Sequence, residues 1–171
     1  MTPRSLRRRV AGMLLATTGL PGCGDGARLW ITDLSTRLRQ PDVPSVDVAE
    51  GRRLVEQGAV WVDVRTEPER GVSRIPGAID AEAVEASPSQ WTDQVLIAYC
   101  TIGVRSADWA AARRAEGLDV RNLKGSVMAW ARAGLDFEGP SGAPTREVHT
   151  WSEDFDWLPD GYQGVTQPPV P

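Results

Sequence analysis

The hydrophobic pattern divides the chain into three regions. Residues 10–20, Val10-Ala-Gly-Met-Leu-Leu-Ala-Thr-Thr-Gly-Leu20, form one run of apolar and small residues. From residue 44 to 137, short β-branched runs alternate with helical patterns. Ala59-Val-Trp-Val-Asp-Val64 and Val95-Leu-Ile-Ala-Tyr99 read as strands, apolar enough on both sides for a buried parallel sheet, and Val120 to Leu123 as a shorter one. Asp47-Val-Ala-Glu50 has the capping-box pattern and opens a helix that Gly58 ends. Ser106 is placed to cap an alanine-rich helix over 107–116, stopped by Gly117, and residues 126–133 read as a last helix. Residues 65–77 carry turn chemistry and end in Ile75-Pro-Gly-Ala78. Strands alternating with helices at this spacing predict an α/β domain, a mainly parallel central sheet with helices on both faces. Beyond it, residues 138–171 begin with a linker composition, Gly139-Pro-Ser-Gly-Ala-Pro144. Trp151, Phe155, Trp157 and Tyr162 then fall within twelve residues. Left in water they would cost free energy, so this extension is expected to dock on the domain.

Composition narrows the class. A chain of 171 residues with 41% hydrophobic and 25% charged residues suits one globular domain with appendages, not a disordered or multi-spanning chain. Nineteen basic against 23 acidic residues, a net charge of −4, argue against a nucleic-acid surface. Two cysteines and one histidine build neither a disulfide framework nor a Cys/His zinc site. No metal or cofactor is expected, carboxylate-only metal binding being the weaker option.

The charge is unevenly spread. Arg4, Arg7, Arg8 and Arg9 precede the apolar run, and no acid appears before Asp25. Basic, then apolar, then small residues is the order of an export signal, and the run is well short of the ~20 residues a spanning helix needs. It closes on Leu20-Pro21-Gly22-Cys23, which resembles the lipobox of bacterial lipoproteins, although Pro21 departs from the usual small residue. That resemblance implies a signal peptide over 1–22, lipid attachment at Cys23 and a tether over 23–43, with the bilayer as partner. The protein would then face the periplasm or the cell exterior. Trp30, Leu34 and Leu38 recur in the tether at helical spacing. Cleavage would remove four arginines and no acid, leaving 15 basic against 23 acidic residues and a charge of −8. The alternative is a buried N-terminal helix with an incidental thiol.

The chemistry concentrates at Cys100, where a predicted strand runs straight into a loop and then a helix. In an open α/β sheet, reactive groups sit beyond the carboxyl ends of the strands. A loop returning into a helix aims backbone amides and the helix N-terminal dipole at one point, which suits an anion. Such a loop, with Arg105 beside it, favours a thiolate over a thiol. Gly103 supplies a positive φ if the turn requires one. The alternative is an inert, buried cysteine.

Three separated motifs resemble the rhodanese family of sulfurtransferases. Asp63-Val-Arg65 with Glu67 and Glu69, then Ile75-Pro-Gly-Ala-Ile79, is similar to its first segment; Cys100-Thr-Ile-Gly-Val-Arg-Ser106 to its active loop, C-x-x-G-x-R-S; and Asn122-Leu-Lys-Gly125 with Trp130 to its closing segment. The resemblance covers residues 45 to about 137. It implies a sulfurtransferase whose cysteine, Cys100, takes a sulfane sulfur as a persulfide. The donor would be thiosulfate, a polysulfide or a persulfide, and the acceptor a thiol or cyanide. Thr101, Ile102, Gly103, Val104 and Arg105 would bind the small anionic donor, with Arg105 as anion binder and loop organiser and Asp63 and Arg65 as a structural pair behind the loop. Apart from Arg105 that loop is uncharged and fairly apolar. Arg74 stands near the rim or, more simply, in solvent. Ser73-Arg74 replace a usual Gly-His, Arg70 an aromatic, and Ser126 the second Gly of a pair. Two rivals are a catalytically idle binding or persulfide-sensing module and a cysteine phosphatase. The latter uses C-x5-R, one residue longer than Cys100 to Arg105 here.

Overall fold

In a computed structural model the described residues are 23–166, with side chains from residue 26. The predicted signal segment, the Cys23 side chain and residues 167–171 lie outside them. Helix α1 (Cys23–Arg39) leads to strand β1 (Ser45–Val46) and helix α2 (Val48–Glu56). Next come β2 (Val60–Asp63), α3 (Glu67–Val72), β3 (Ile79–Asp80), α4 (Ala81–Ala86) and a 3-10 turn over Pro88–Trp91. The domain is completed by β4 (Val95–Tyr99), α5 (Val104–Ala115), β5 (Asp119–Leu123) and α6 (Ser126–Arg132). The strands form one five-stranded, wholly parallel sheet in the order β1-β5-β4-β2-β3.

Alternation along the central strands fills both faces. Trp61, Ile97, Tyr99 and Leu123 join Val127, Met128, Trp130 and Ala131 of α6 in one cluster, against which Leu54 and Val55 of α2 pack. Val62, Leu96, Ala98 and Val120 point the other way, to Ala81 and Val84 of α4 and Ala110 of α5. Helix α2 approaches the sheet closely because position 51 is glycine: a Cβ there would stand 2.5 Å from the Trp61 ring. Trp61 meets Trp130 edge to face at 5.7 Å, the favoured geometry for aromatic pairs.

Two local readings are corrected. Residues 65–77 are not all turn, because Thr66 and Glu69 close a capping box that folds α3 with Pro68 in its first turn. Ser106 does not cap the alanine-rich helix. That helix starts three residues earlier than expected, at Val104, with Gly103 as its cap at φ 101°.

After α6, β6 (Phe137–Glu138) pairs antiparallel with β7 (Pro144–Thr145), and β8 (Glu147–His149) pairs parallel with β9 (Gln163–Val165). Trp157 is buried, Phe155 and Tyr162 pack against the first cluster, and the Tyr162 hydroxyl donates to Leu135 O at 2.9 Å. The departures before Ile75 anchor this extension. Ser73 Oγ donates to Glu147 O at 2.6 Å, and Arg74 exchanges both backbone hydrogen bonds with Glu138. Arg70 bonds the Arg65 carbonyl and forms a fork with Glu82.

Candidate active site

Strand β4 carries Cys100 to the carboxyl edge of the sheet, and the chain turns at once into α5. The cysteine is 1% exposed and free. Its Sγ accepts the Gly103 N–H at 3.2 Å and faces the Ser106 hydroxyl at 3.6 Å. Gly103 makes this turn with a left-handed backbone that disfavours any side chain, and the first N–H groups of α5 lack intrahelical acceptors. The Gly103 N–H and the positive end of the α5 dipole thus meet at the sulfur.

The loop is fastened from behind. Asn122 Nδ2 donates to Gly103 O at 3.1 Å and Ser106 Oγ donates to Asn122 Oδ1 at 2.7 Å. The Cys100 N–H donates to Ser126 Oγ at 3.0 Å, while the N–H groups of Val127 and Met128 reach Cys100 O and Thr101 O. Ser126, which stands where the motif has a glycine, takes a positive φ of 48°, and its hydroxyl supplies the acceptor for the Cys100 amide. The sequence assigned that residue no such part, and only its place in the motif could have drawn attention to it.

Asp63 and Arg65 form a fully buried pair. Arg65 Nε and Nη2 donate to the two carboxylate oxygens at 2.9 and 2.7 Å, and Nη2 also to Ser73 O at 2.6 Å. Tyr99 closes the group, its hydroxyl donating to Asp63 at 2.7 Å and accepting the Ile75 N–H. Burial opposes the charge on Arg65, but Asp63 outweighs it and holds the guanidinium above its ordinary value. Burial and the neighbouring carboxylate push the Tyr99 hydroxyl up, so it stays protonated.

Arg105 lines the pocket above Cys100, but its planar fork is bound to Glu69 at 2.7 and 2.8 Å, with Nη2 also reaching Thr101 Oγ1 at 3.0 Å. Glu69, 1% exposed, is the principal site residue to which sequence reasoning gave no role. The signal was the capping spacing Thr66-x-x-Glu69. Burial disfavours its charge, yet hydrogen bonds from Arg105 and from the Thr66 N–H and hydroxyl prevail and lower the carboxyl from 4.5 to about 2. Arg74 does not reach this pocket: it pairs with Asp80 at 3.0 Å beside Arg70.

The depressed carboxyl fixes a pH dependence. The unfolded chain takes up a proton at Glu69 before the folded protein does, so the stabilisation is complete above about pH 4.5 and is lost as pH falls towards 2. After discounting for the partly exposed Arg105, the expected loss is about 2 kcal/mol. Urea midpoints measured between pH 6 and 3 should show this fall, and Glu69→Gln should flatten it.

A pocket of about 320 Å³ opens over the thiol, lined by Cys100, Thr101, Ile102, Val104, Arg105, Trp151 and Phe155. The last two come from the C-terminal extension. Trp151 is 52% exposed at φ 69°, its ring 4.6 Å from the Arg105 guanidinium and its backbone N–H donated to His149 Nδ1 at 3.0 Å. Burial, aided by Arg65 and Arg105 against Glu69, lowers the His149 pKa, so its Nδ1 stays free to accept that bond.

Fold and site together define a parallel α/β domain that presents a single thiol in a backbone cradle. The chain belongs to the rhodanese-like domain family, whose profile matches residues 47–133. It is 34% identical over 97 residues to a protein named sulfurtransferase from Allochromatium vinosum, covering 90% of that relative and 53% of this chain. Among solved structures, the thiosulfate sulfurtransferase of Pseudomonas aeruginosa matches with a TM-score of 0.53 and 22% identity over 77% of this chain. The reduced CoADR-RHD of Bacillus anthracis matches with 0.50 and 23% over 57%. This chain corresponds to 26% and 18% of those larger proteins, and the likeness to them is one of fold.

Proposed function

We propose that the protein is a sulfurtransferase whose Cys100 thiolate attacks the terminal sulfur of a donor, carries that sulfur as a persulfide and delivers it to a thiol or cyanide. The observation that supports this most is the Cys100 sulfur itself, which accepts the Gly103 N–H at the head of α5, beneath an open pocket. The same N–H and the positive end of the helix dipole stabilise thiolate and persulfide, so neither a metal nor a general base is required once the thiolate is formed. The six-residue span from Cys100 to Arg105 is short for encircling a phosphate. The test is one preparation assayed on two chemistries. Donor-dependent sulfur transfer to cyanide or a thiol, with phosphoester hydrolysis at background, is expected. Hydrolysis without sulfur transfer would make the protein a phosphatase, and neither activity would favour the binding module.

The same proposal includes export and acylation at Cys23. Helix α1 begins at this residue, and Trp30, Ile31, Leu34 and Leu38 are exposed along it. At 100° per residue they share one stripe, opposite Leu29 and the buried Thr36, which face the domain. An apolar stripe turned outward directly after an acylated residue suits the boundary of a bilayer, and among the described residues no helix is long and apolar enough to cross one. Cys23→Ser should move the protein from the membrane fraction to the soluble fraction and abolish incorporation of labelled fatty acid. Unchanged fractionation and labelling would exclude this anchor.

A further inference from the structure

The pocket above Cys100 is unusual in what surrounds its charge. Ile102 and Val104 of the loop and Trp151 and Phe155 of the C-terminal extension line it. The one cation among the lining residues, Arg105, is held in a fork by the buried Glu69 and covered by the Trp151 ring. A guanidinium paired in this way has little net charge to offer a doubly charged inorganic anion. The aromatic wall is also fixed in place. Trp151 is held in a left-handed backbone by His149, Thr150 N–H bonds Val165 O, and Phe155 stacks edge to face on Trp157 at 5.4 Å. Trp151 nevertheless stays half exposed, the one large apolar side chain outside α1 that does so among the described residues.

Building on the sulfurtransferase reading, we infer that the C-terminal extension makes this an organic-persulfide site, selecting donors with an apolar or aromatic body over thiosulfate. A volume of about 320 Å³ lies at the lower end for small-molecule sites, about 300–1,000 Å³. The body R of the donor R–S–S⁻ lies between Trp151, Phe155 and Ile102, and its terminal sulfur meets Cys100. The thiolate attacks that sulfur, the donor's S–S bond breaks, a new S–S bond forms on Cys100 and R–S⁻ departs. One thiolate and one persulfide anion stand on each side of the reaction, so no oxidant or reductant is consumed. An acceptor thiolate then removes the outer sulfur in the same way and restores Cys100. Trp151 is thus a specificity-determining residue.

The experiment compares benzyl persulfide with thiosulfate in single turnovers of the full chain, following the gain of one sulfur atom on Cys100 by intact mass against donor concentration. Wild type should load at least about tenfold more efficiently from benzyl persulfide. Trp151→Ala should reduce that preference by about tenfold, chiefly through weaker saturation, and Trp151→Phe should restore most of it. Phe155→Ala serves as an independent second variant, and melting curves verify folding of each. Loading that favours thiosulfate, or variants that alter both donors equally, would overturn the inference while leaving the sulfurtransferase reading intact. No loading from either donor, with the thiol still open to alkylation, would overturn both.

Discussion

Cys100→Ser is expected to lower sulfur transfer by at least about a thousandfold, to the uncatalysed background, with little change in the fold. The substitution exchanges one atom at a site where the Gly103 N–H donates to it, the Ser106 proton being given to Asn122. A hydroxyl accepts that bond as well as a thiol does, so stability should change by less than about 2 kcal/mol. Chemistry is a different matter. A serine hydroxyl is scarcely ionised near neutral pH, and an oxygen at this position cannot exchange sulfur by thiol–disulfide attack. Donor-dependent turnover and a melting curve on the same sample separate the two effects. A Cys100→Ser protein that keeps a tenth of its activity would move the chemistry to another residue.

The second large effect concerns stability. Asp63→Ala should destabilise the domain by about 3–5 kcal/mol, because it leaves the Arg65 guanidinium buried without its counter-charge. Asp63 accepts the Arg65 fork, the Arg65 backbone N–H at 3.0 Å and the Tyr99 hydroxyl, so one truncation leaves several buried donors unmatched. The group also sets the position of β4 relative to β2 and of the segment entering Ile75, and the β4 end carries Cys100. Asp63→Asn retains the volume and part of the hydrogen bonding, and should cost less than the alanine variant. Equilibrium urea unfolding measures both, and a loss below about 1 kcal/mol for Asp63→Ala would mean that the pair contributes little beyond packing.

What could be read from the sequence follows from range. The central strands are local β-branched runs, and the register of Trp61, Ile97 and Tyr99 on one face follows from alternation alone. The edge strands β1 and β3 have two residues each, too short for any periodicity to register. Helix α3 was hidden for a similar reason: its six residues contain Pro68 and Gly71, and the Thr66–Glu69 capping box is its main signal. At the site, the cysteine loop lies in one continuous stretch and was legible as such. Its partners were not, because each closes over a long separation in sequence. Glu69 meets Arg105 across 36 residues, Ser126 meets Cys100 across 26, and Trp151 comes from an extension beyond the domain. Arg105 was legible as a residue that binds an anion and organises the loop, but the partner through which it does the second was not. The fold joins it to Glu69, so the carboxylate offsets its charge beside the pocket.

The central claim is that sulfur passes through Cys100. Its most direct test is intact mass spectrometry of the protein after exposure to thiosulfate, polysulfide and an organic persulfide, with the modified residue located by fragmentation. The account predicts a gain of one sulfur atom on Cys100, removed by cyanide or a thiol and absent from Cys100→Ser. No gain with any donor, while Cys100 remains open to alkylation, would contradict it.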